Sequence, residues 1–394
     1  MEDRANLFVE IVMSLSDSDH RTHTQTVTSA DELSSYMGLI GGERGGPMAA
    51  AQRAALWSAS YAYRCVLAVR NHYYDSLALP AWLGIPVFSV GNLTVGGTGK
   101  TPMTLHLCQR LVERGRRPAV LSRGYKASAE GLADELLLVS RRCPRAVAIA
   151  NPNRVAAGEL AVEQYGADAG VLDDGFQHRR LARDLDLLLI DATEPFGFGH
   201  VLPRGLLREP VQNLRRADVV VITRCDQVPS ETLDQIEAAV RAIAPQMPLL
   251  HAVHQPAGFA DLAGQLMPNP PTGRVGAFAG IARPAAFART LADLGCTPAA
   301  TRWWPDHHIY TEADLAALRR WVLESRLDAL VTTEKDAVKL TRLDADWPVP
   351  VAALRIDLAL LADGGKILDE MIDRVLADYD MAPATESDDL GQEP

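Results

Sequence analysis

Thr94-Val-Gly-Gly-Thr-Gly-Lys-Thr101 comes just after an apolar run, Pro86-Val-Phe-Ser-Val90, and leads into a segment that reads as helix, 100–114. A phosphate loop requires a glycine, four residues, then Gly-Lys-Ser/Thr. Gly99, Lys100 and Thr101 match; Thr94 stands where the first glycine would be. Gly96 and Gly97 supply the freedom that lets the backbone of Thr94, Val95, Gly96, Gly97, Thr98 and Gly99 wrap a phosphate at a helix N-terminus. Lys100 would then neutralise the β- and γ-oxygens of ATP, and the Thr101 hydroxyl would hold Mg²⁺. The chain has 5 lysines against 34 arginines, so a lysine at this spacing carries weight. The plainer alternative, a Gly-rich turn capping a helix, fits the strand–loop–helix context less well.

A phosphate loop needs a carboxylate for the metal at the end of a neighbouring apolar strand. Val171-Leu-Asp173-Asp174-Gly-Phe-Gln177-His178 provides two, Asp173 and Asp174, without saying which binds directly. Asp-Asp-Gly alone is also a common turn; paired with the phosphate loop it reads as a Mg²⁺ site.

Outward from these motifs, short apolar runs at 86–90, 118–122, 147–150, 169–173, 186–191 and 218–223 alternate with helical segments at 100–114, 153–165 and 230–244. Buried strands alternating with helices predict an α/β fold, a P-loop kinase-like parallel sheet covered by helices. The Pro/Gly-rich stretch 256–273 reads as a linker. Beyond it, strands at 274–279, 329–332 and 349–354 and helices at 284–294, 311–324, 334–341 and 364–377 predict a second, smaller α/β domain. The expected organisation is a disordered extension 1–50, a P-loop kinase domain 51–255 with an N-terminal helix, a linker 256–273, a C-terminal α/β domain 274–380 and a disordered acidic tail 381–394. Met37 or Met48 is an equally good start.

The formal charge of −11 argues at first against an anionic partner. Position changes that reading. Residues 57–362 carry 33 basic and 32 acidic groups, so the acidity lies in the two ends and the body is neutral. Nothing in the pattern asks for nucleic acid. Five cysteines without paired spacing make a disulfide framework or a Cys-x-x-Cys zinc site a poor reading. Glu2, Asp3 and Glu10 spoil a secretory signal. Residues 76–99 are uncharged for 24 positions but broken by Pro80, Pro86 and five glycines, so no transmembrane helix is expected. The segment 51–74 reads as a helix in which aromatics alternate with basic residues, as at a membrane interface. Arg70, however, falls near Leu56, Tyr63 and Leu67, so no single apolar face is evident.

Two weaker signals carry less. Thr223-Arg-Cys-Asp226 lies where GTPases keep Asn-Lys-x-Asp, but the Asn and Lys are missing, and a strand-end turn is the better reading. Asp306-His307-His308 alone is a poor metal site, because the further Asp/His clusters of a phosphoesterase are absent.

The run 86–102 resembles the opening of the tetraacyldisaccharide 4′-kinase (lipid A 4′-kinase) family. The resemblance continues in order through Leu121-Ser-Arg-Gly-Tyr125, Ala133-Asp-Glu-Leu136, Leu172-Asp-Asp-Gly-Phe-Gln-His178, Leu207-Arg-Glu-Pro210, Trp304-Pro-Asp-His-His308 and Thr332-Thr-Glu-Lys-Asp336. It spans roughly residues 55–375 and includes the variant phosphate loop. It implies two α/β/α domains with a cleft between them. The implied reaction is transfer of the ATP γ-phosphate to the 4′-hydroxyl of a tetraacyldisaccharide 1-phosphate, forming lipid IVA. The implied location is peripheral, at the cytoplasmic face of the inner membrane, with the amphipathic N-terminal helix at about 55–74. The resemblance assigns Asp134 as the hydroxyl's base, paired with His307 (or His308), and Glu135 as a cation or neighbouring group. Here the family's flanking Gly and Pro are Ala133 and Leu136. Arg123, Arg208 and Glu209 become candidates for nucleotide or phosphate contact. The competing reading is a P-loop NTPase switch that controls a partner and phosphorylates no small molecule.

Overall fold

The protein is described by a computed structural model covering residues 29–124, 134–281, 284–305, 308–341, 343 and 346–381. The chain divides into two compact units at Gly46/Pro47. The first contains helix α1, Ser29–Gly41, closed by a turn in which Arg44 Nη1 donates to Ser35 Oγ at 2.8 Å. This helix lies inside the segment expected to be disordered; residues 1–28 and 382–394 lie outside the described residues.

The second unit opens with the long helix α2, Pro47–Ser76, and then alternates strand and helix. Its first half contains β1 (Val87–Asn92), α3 (Lys100–Glu113), β2 (Pro118–Ser122), α4 (Asp134–Arg142), β3 (Val147–Ala150), α5 (Arg154–Tyr165), β4 (Ala169–Asp173), β5 (Leu185–Asp191), β6 (Val219–Thr223) and α6 (Ser230–Ile243). The second half contains β7 (Leu249–Asp261), β8 (Val275–Gly280), α7 (Pro284–Asp293), β9 (Ala300–Trp304), α8 (Glu312–Glu324), β10 (Ala329–Thr333), α9 (Glu334–Leu340), β11 (Val351–Leu360) and α10 (Gly364–Asp380).

The strands form one sheet in the order β3-β2-β4-β1-β5-β6-β7-β11-β10-β8-β9. All pairs are parallel except β7 with β11. The continuous apolar runs follow from burial on both faces. Leu185, Leu187 and Leu189 of β5 enter one core cluster with Val219 and Val221 of β6, while Leu188, Ile190, Val220 and Ile222 enter another.

Two further places differ from the sequence expectation. The stretch read as a linker begins inside β7, whose residues 252–261 pair with β11 in a long antiparallel ladder. Pro256 and Gly258, which looked like turn residues, fall where the ladder is irregular, opposite Arg355/Ile356. Asp134 opens helix α4. Helix α10 was assigned to the second domain, but Leu368, Ile372 and Leu376 pack into the first half's core beside Met103, Leu107 and Leu111 of α3. Arg110 and Arg114 of α3 meet Asp369 at 2.9 Å each, and Arg114 also meets Asp373 at 2.6 Å.

Candidate active site

Strand β1 delivers the phosphate loop, and its immediate parallel neighbour β4 delivers the two aspartates, with Val90 in register with Asp173. Gly99 caps α3 at φ +92° and Gly96 has φ +121°, conformations that favour glycine. A Cβ on Gly99 would sit 2.7 Å from His254 Nε2 of β7. Gly96 and Gly97 are exposed, and Thr98 Oγ1 is buried without a hydrogen-bond partner.

The two ends of the loop differ from the expectation of a uniform phosphate cradle. The Val95 amide already donates to Leu206 O at 2.8 Å, and Thr94 is buried in an antiparallel bridge with Leu207. These two residues tie the loop to the segment carrying Arg208. On the other side, Thr223 Oγ1 donates to Thr98 O at 2.9 Å and Arg224 Nη2 to Gly97 O at 2.9 Å. Arg224 also pairs with Asp191. The strand-end turn set aside as a failed guanine motif is therefore the buttress of the phosphate loop. His254 completes that wall; burial, and then the nearby Arg224, pushes its pKa down to about 4.

Lys100 Nζ donates to Asn92 Oδ1 at 3.1 Å and stands 3.5 Å from Asp174 Oδ1. Asn92 Nδ2 in turn donates to Thr94 O at 2.8 Å, so this buried asparagine fixes both the loop and its lysine. Arg208 Nη1 donates to Asp174 Oδ2 at 2.7 Å. Asp174 itself has φ +54°, a strained setting for a non-glycine residue that turns its carboxylate off the end of β4. Burial would raise its pKa, but Lys100 and Arg208 outweigh that and hold it well below the usual carboxylate range. Asp173 is the opposite case. Burial, then the charge of Asp174, lifts it to about 6, with Glu135 adding to the effect and Lys100 and a 3.2 Å hydrogen bond from Thr104 opposing it.

Among the described residues, no three His, Cys, Asp or Glu side chains converge to hold a metal by themselves. The hydroxyl of Thr101 and the carboxylates of Asp173 and Asp174 are nevertheless hard oxygen donors of the kind Mg²⁺ takes, usually one or two carboxylates completed by substrate phosphates. A buried carboxylate whose ionisation is opposed by its neighbours is also one that a divalent cation would relieve. The residues present fit the ion.

Asp134 and Glu135, in the first turn of α4, face α9 across the sheet's two halves. Lys339 Nζ is 3.6 Å from Asp134 Oδ2 and 3.2 Å from the wholly buried Asp336, and Lys335 Nζ is 3.3 Å from Glu135 Oε1. Lys339 also lies 6.0 Å from the centre of the Tyr310 ring. His308 is engaged by its own lobe: it stacks on Trp304 with ring centres 5.6 Å apart and sits 3.1 Å from Asp314 Oδ2. His307 lies outside the described residues, as do 125–133. Glu209 departs from its expected role in nucleotide contact. It is fully buried, 2.9 Å from Arg216, whose guanidinium covers the Phe176 ring. Its carboxylate also accepts from Asn213 Nδ2. Arg123 ends β2 half-buried, next to the segment outside the described residues.

The signals sequence reasoning missed were small ones. Asn92 ends β1 and Thr223 ends β6, with Arg224 next, each at a carboxyl end where a parallel sheet gathers its functional groups.

Residues 52–377 match the family model described as tetraacyldisaccharide-1-P 4′-kinase, LpxK. A tetraacyldisaccharide 4′-kinase of Anaeromyxobacter sp. (strain K) is 42% identical over 360 residues, covering 85% of this chain and 94% of that protein. One from Syntrophus aciditrophicus is 37% identical over 326 residues, covering 75% and 86%. The crystal structure of LpxK from Aquifex aeolicus in complex with ATP superposes with a TM-score of 0.65 at 28% identity, covering 82% of this chain and 99% of that one. With the phosphate loop, the paired aspartates and the extent of these matches in agreement, the chain belongs to the tetraacyldisaccharide 4′-kinase family.

Proposed function

We propose that this chain transfers the γ-phosphate of ATP to the 4′-hydroxyl of a tetraacyldisaccharide 1-phosphate, a step of lipid A biosynthesis that yields lipid IVA. The observation that carries this reading is the convergence of Lys100, Asp174 and Arg208 at the mouth of the phosphate loop. Phosphoryl transfer asks the protein mainly for positioning and charge neutralisation. Lys100 meets the β- and γ-oxygens, the amides of 96–99 cradle them at the start of α3, and Arg208 reaches the same charge from the opposite loop. Thr101, Asp173 and Asp174, with Glu135, would hold Mg²⁺, which when bound would offset the negative charge of the phosphates.

Asp134 accepts the proton of the 4′-hydroxyl as its oxygen bonds to the γ-phosphorus and the bond to the departing ADP breaks. His307 is its partner in the family resemblance. A carboxylate is a weak base, and a histidine that orients it and shares the proton makes the transfer productive. The residues divide into a P-loop half, roughly 51–255 completed by α10, and a second half beginning near β8. Asp134 faces the second half, so substrate closes between them and excludes water.

The acceptor is a lipid, and α2 offers a surface for lipid. Trp57, Tyr61, Val66, Val69 and Tyr73 are each more than half exposed along it, interspersed with Arg53 and Arg64. Among the described residues no helix is long and apolar enough to cross a membrane. Aromatics with basic neighbours suit an interfacial helix, and we place the enzyme peripherally on the cytoplasmic face of the inner membrane. The test is incubation of the purified chain with Mg-ATP and tetraacyldisaccharide 1-phosphate in mixed micelles. Mass spectrometry should show one added phosphate at the 4′-position. Nucleotide binding without product would favour the switch reading instead.

A further inference from the structure

Helix α2 has two faces with different work. Its outer face carries the exposed aromatics. Its inner face runs through Ser60, Tyr63, Leu67, Arg70 and Tyr74, spaced three and four residues apart as one helical stripe. The presence of Arg70 on this stripe obscured amphipathicity in the sequence, and the structure gives the reason: the stripe grips backbone as well as core.

Ser60 Oγ, almost fully buried, donates to Val201 O at 2.9 Å and accepts from the Arg204 amide at 2.8 Å. One turn on, Tyr63 Oη donates to Arg208 O at 3.0 Å. Two turns further, Arg70 Nη2 donates to Gln177 O at 2.5 Å. Arg208 pairs with Asp174, and Gln177 lies against Arg208. Arg208 Nη1 contacts both Asp174 Oδ2, at 2.7 Å, and Gln177 Oε1, at 3.4 Å, while Gln177 Nε2 donates to Asn92 O at 2.9 Å. Asn92 holds Lys100. Tyr63 and Arg70 therefore each fix the main chain of a residue in one network, Arg208 of the ion pair and Gln177 beside it.

We infer that Tyr63 and Arg70 are positioning residues for phosphoryl transfer: by holding the carbonyls of Arg208 and Gln177, they set the Arg208–Asp174 pair against the nucleotide. Helix α2 thus belongs to the kinase site on its inner side, whatever its outer side rests on. The physical argument is one of precision. Both carbonyls lie on connecting segments, where the chain is least constrained by the sheet. A displacement of an ångström in a catalytic cation is enough to cost a large factor in rate. The bonds use helix side chains, which are more rigid supports than loop groups. Burial of most of the Tyr63 ring raises the pKa of its phenol, with Glu209 contributing, so it remains a neutral donor.

This inference rests on the kinase reading above, and its test separates the two. Tyr63→Phe keeps the ring and removes the hydroxyl; Arg70→Met removes the fork, and Arg70→Lys restores a cation. Each is assayed with Mg-ATP and tetraacyldisaccharide 1-phosphate in mixed micelles, for sedimentation with anionic phospholipid vesicles, and for thermal stability. The expected result is that Tyr63→Phe lowers kcat/KM for ATP about fivefold and Arg70→Met about tenfold or more. KM for the lipid acceptor and the vesicle-bound fraction should stay within about twofold of the parent, and Arg70→Lys should recover part of the loss. Unchanged ATP kinetics in both variants, or losses confined to lipid KM and vesicle binding, would overturn the inference while leaving the kinase reading intact. A parent protein that makes no phosphorylated lipid would overturn that reading itself.

Discussion

Lys100 Nζ and Asp174 Oδ1 stand 3.5 Å apart, each also tied to a second residue, Asn92 for the lysine and Arg208 for the aspartate. The strand that leads into the phosphate loop and the strand beside it are thus joined by charge at their carboxyl ends. Asp174→Asn keeps the shape and removes the charge that both cations face. It should lower turnover at least about 100-fold, on the scale of losing a preorganised electrostatic group, and a steady-state kinase assay with saturating Mg-ATP measures it. Turnover within about threefold of the parent would exclude a metal or electrostatic role for this carboxylate.

Asp134→Ala should separate chemistry from binding. The proposed base meets the acceptor hydroxyl, while the nucleotide is held by other residues, so kcat should collapse and the Kd for ATP should change little. Equal losses in both would place Asp134 among the nucleotide ligands.

Thr223→Val removes the hydroxyl that donates to Thr98 O and keeps the β-branched packing at the end of β6. Loss of this bond leaves a buried carbonyl of the phosphate loop unpaired, at a cost of about 1–3 kcal/mol. Affinity for ATP, read by isothermal titration, should weaken about five- to tenfold while kcat at saturation falls less.

Acid should destabilise the protein through His254, whose pKa is pushed down to about 4 by burial and Arg224. Its unfolded counterpart titrates near 6.5. Between those values the unfolded chain binds a proton that the folded chain does not, so stability falls as pH drops from about 6.5 toward 4. His178, lowered to about 3 by burial and then by Arg154 and neighbouring arginines, adds in the same direction. In His254→Gln, denaturation midpoints measured from pH 7 to pH 4.5 should fall less steeply than in the parent. An identical slope would mean that His254 titrates alike in the folded and unfolded chains.

The C-terminal helix tests apolar burial against ion pairs. Asp369 meets Arg110 and Arg114, but all three side chains are about a fifth to a third exposed. Such pairs contribute up to about 1 kcal/mol, so Asp369→Ala should move stability only slightly. Leu368 and Ile372 are completely buried in the first half's core, and Leu368→Ala should cost about 2–5 kcal/mol. Urea denaturation of the two variants decides the order.

Much of the P-loop half was legible because its signals are local. A continuous apolar strand, a glycine-rich turn and a helix are adjacent in sequence, and the β2, β3 and β4 runs stand where expected. What escaped notice depends on contacts between distant residues. Strand β7 contains His251, His254, Pro256 and Gly258, a composition that disguises a strand paired parallel on one edge and antiparallel on the other. Helix α4 is nine residues long and begins with the two carboxylates Asp134 and Glu135. The phosphate-loop sequence and the paired aspartates beside it could be read from spacing; Asn92, Thr223 and Arg224 could not, because each acts on a backbone carbonyl or side chain that only the folded sheet brings near. Glu209 illustrates the converse. Its neighbour in the motif reaches the site, while Glu209 itself is turned into the core by Arg216.

Helix α10 leaves the ribosome after the whole second half of the molecule has been made, yet its leucines finish the core under the phosphate-loop helix. The nucleotide-binding half therefore cannot mature in the order in which it is translated. It must wait, with the apolar flank of α3 uncovered, until residues 364–380 emerge. A chain cut short anywhere in the second half would carry every residue of the phosphate loop and still lack a finished place to hold it. Synthesis thus ties nucleotide-binding competence to possession of the C-terminal helix.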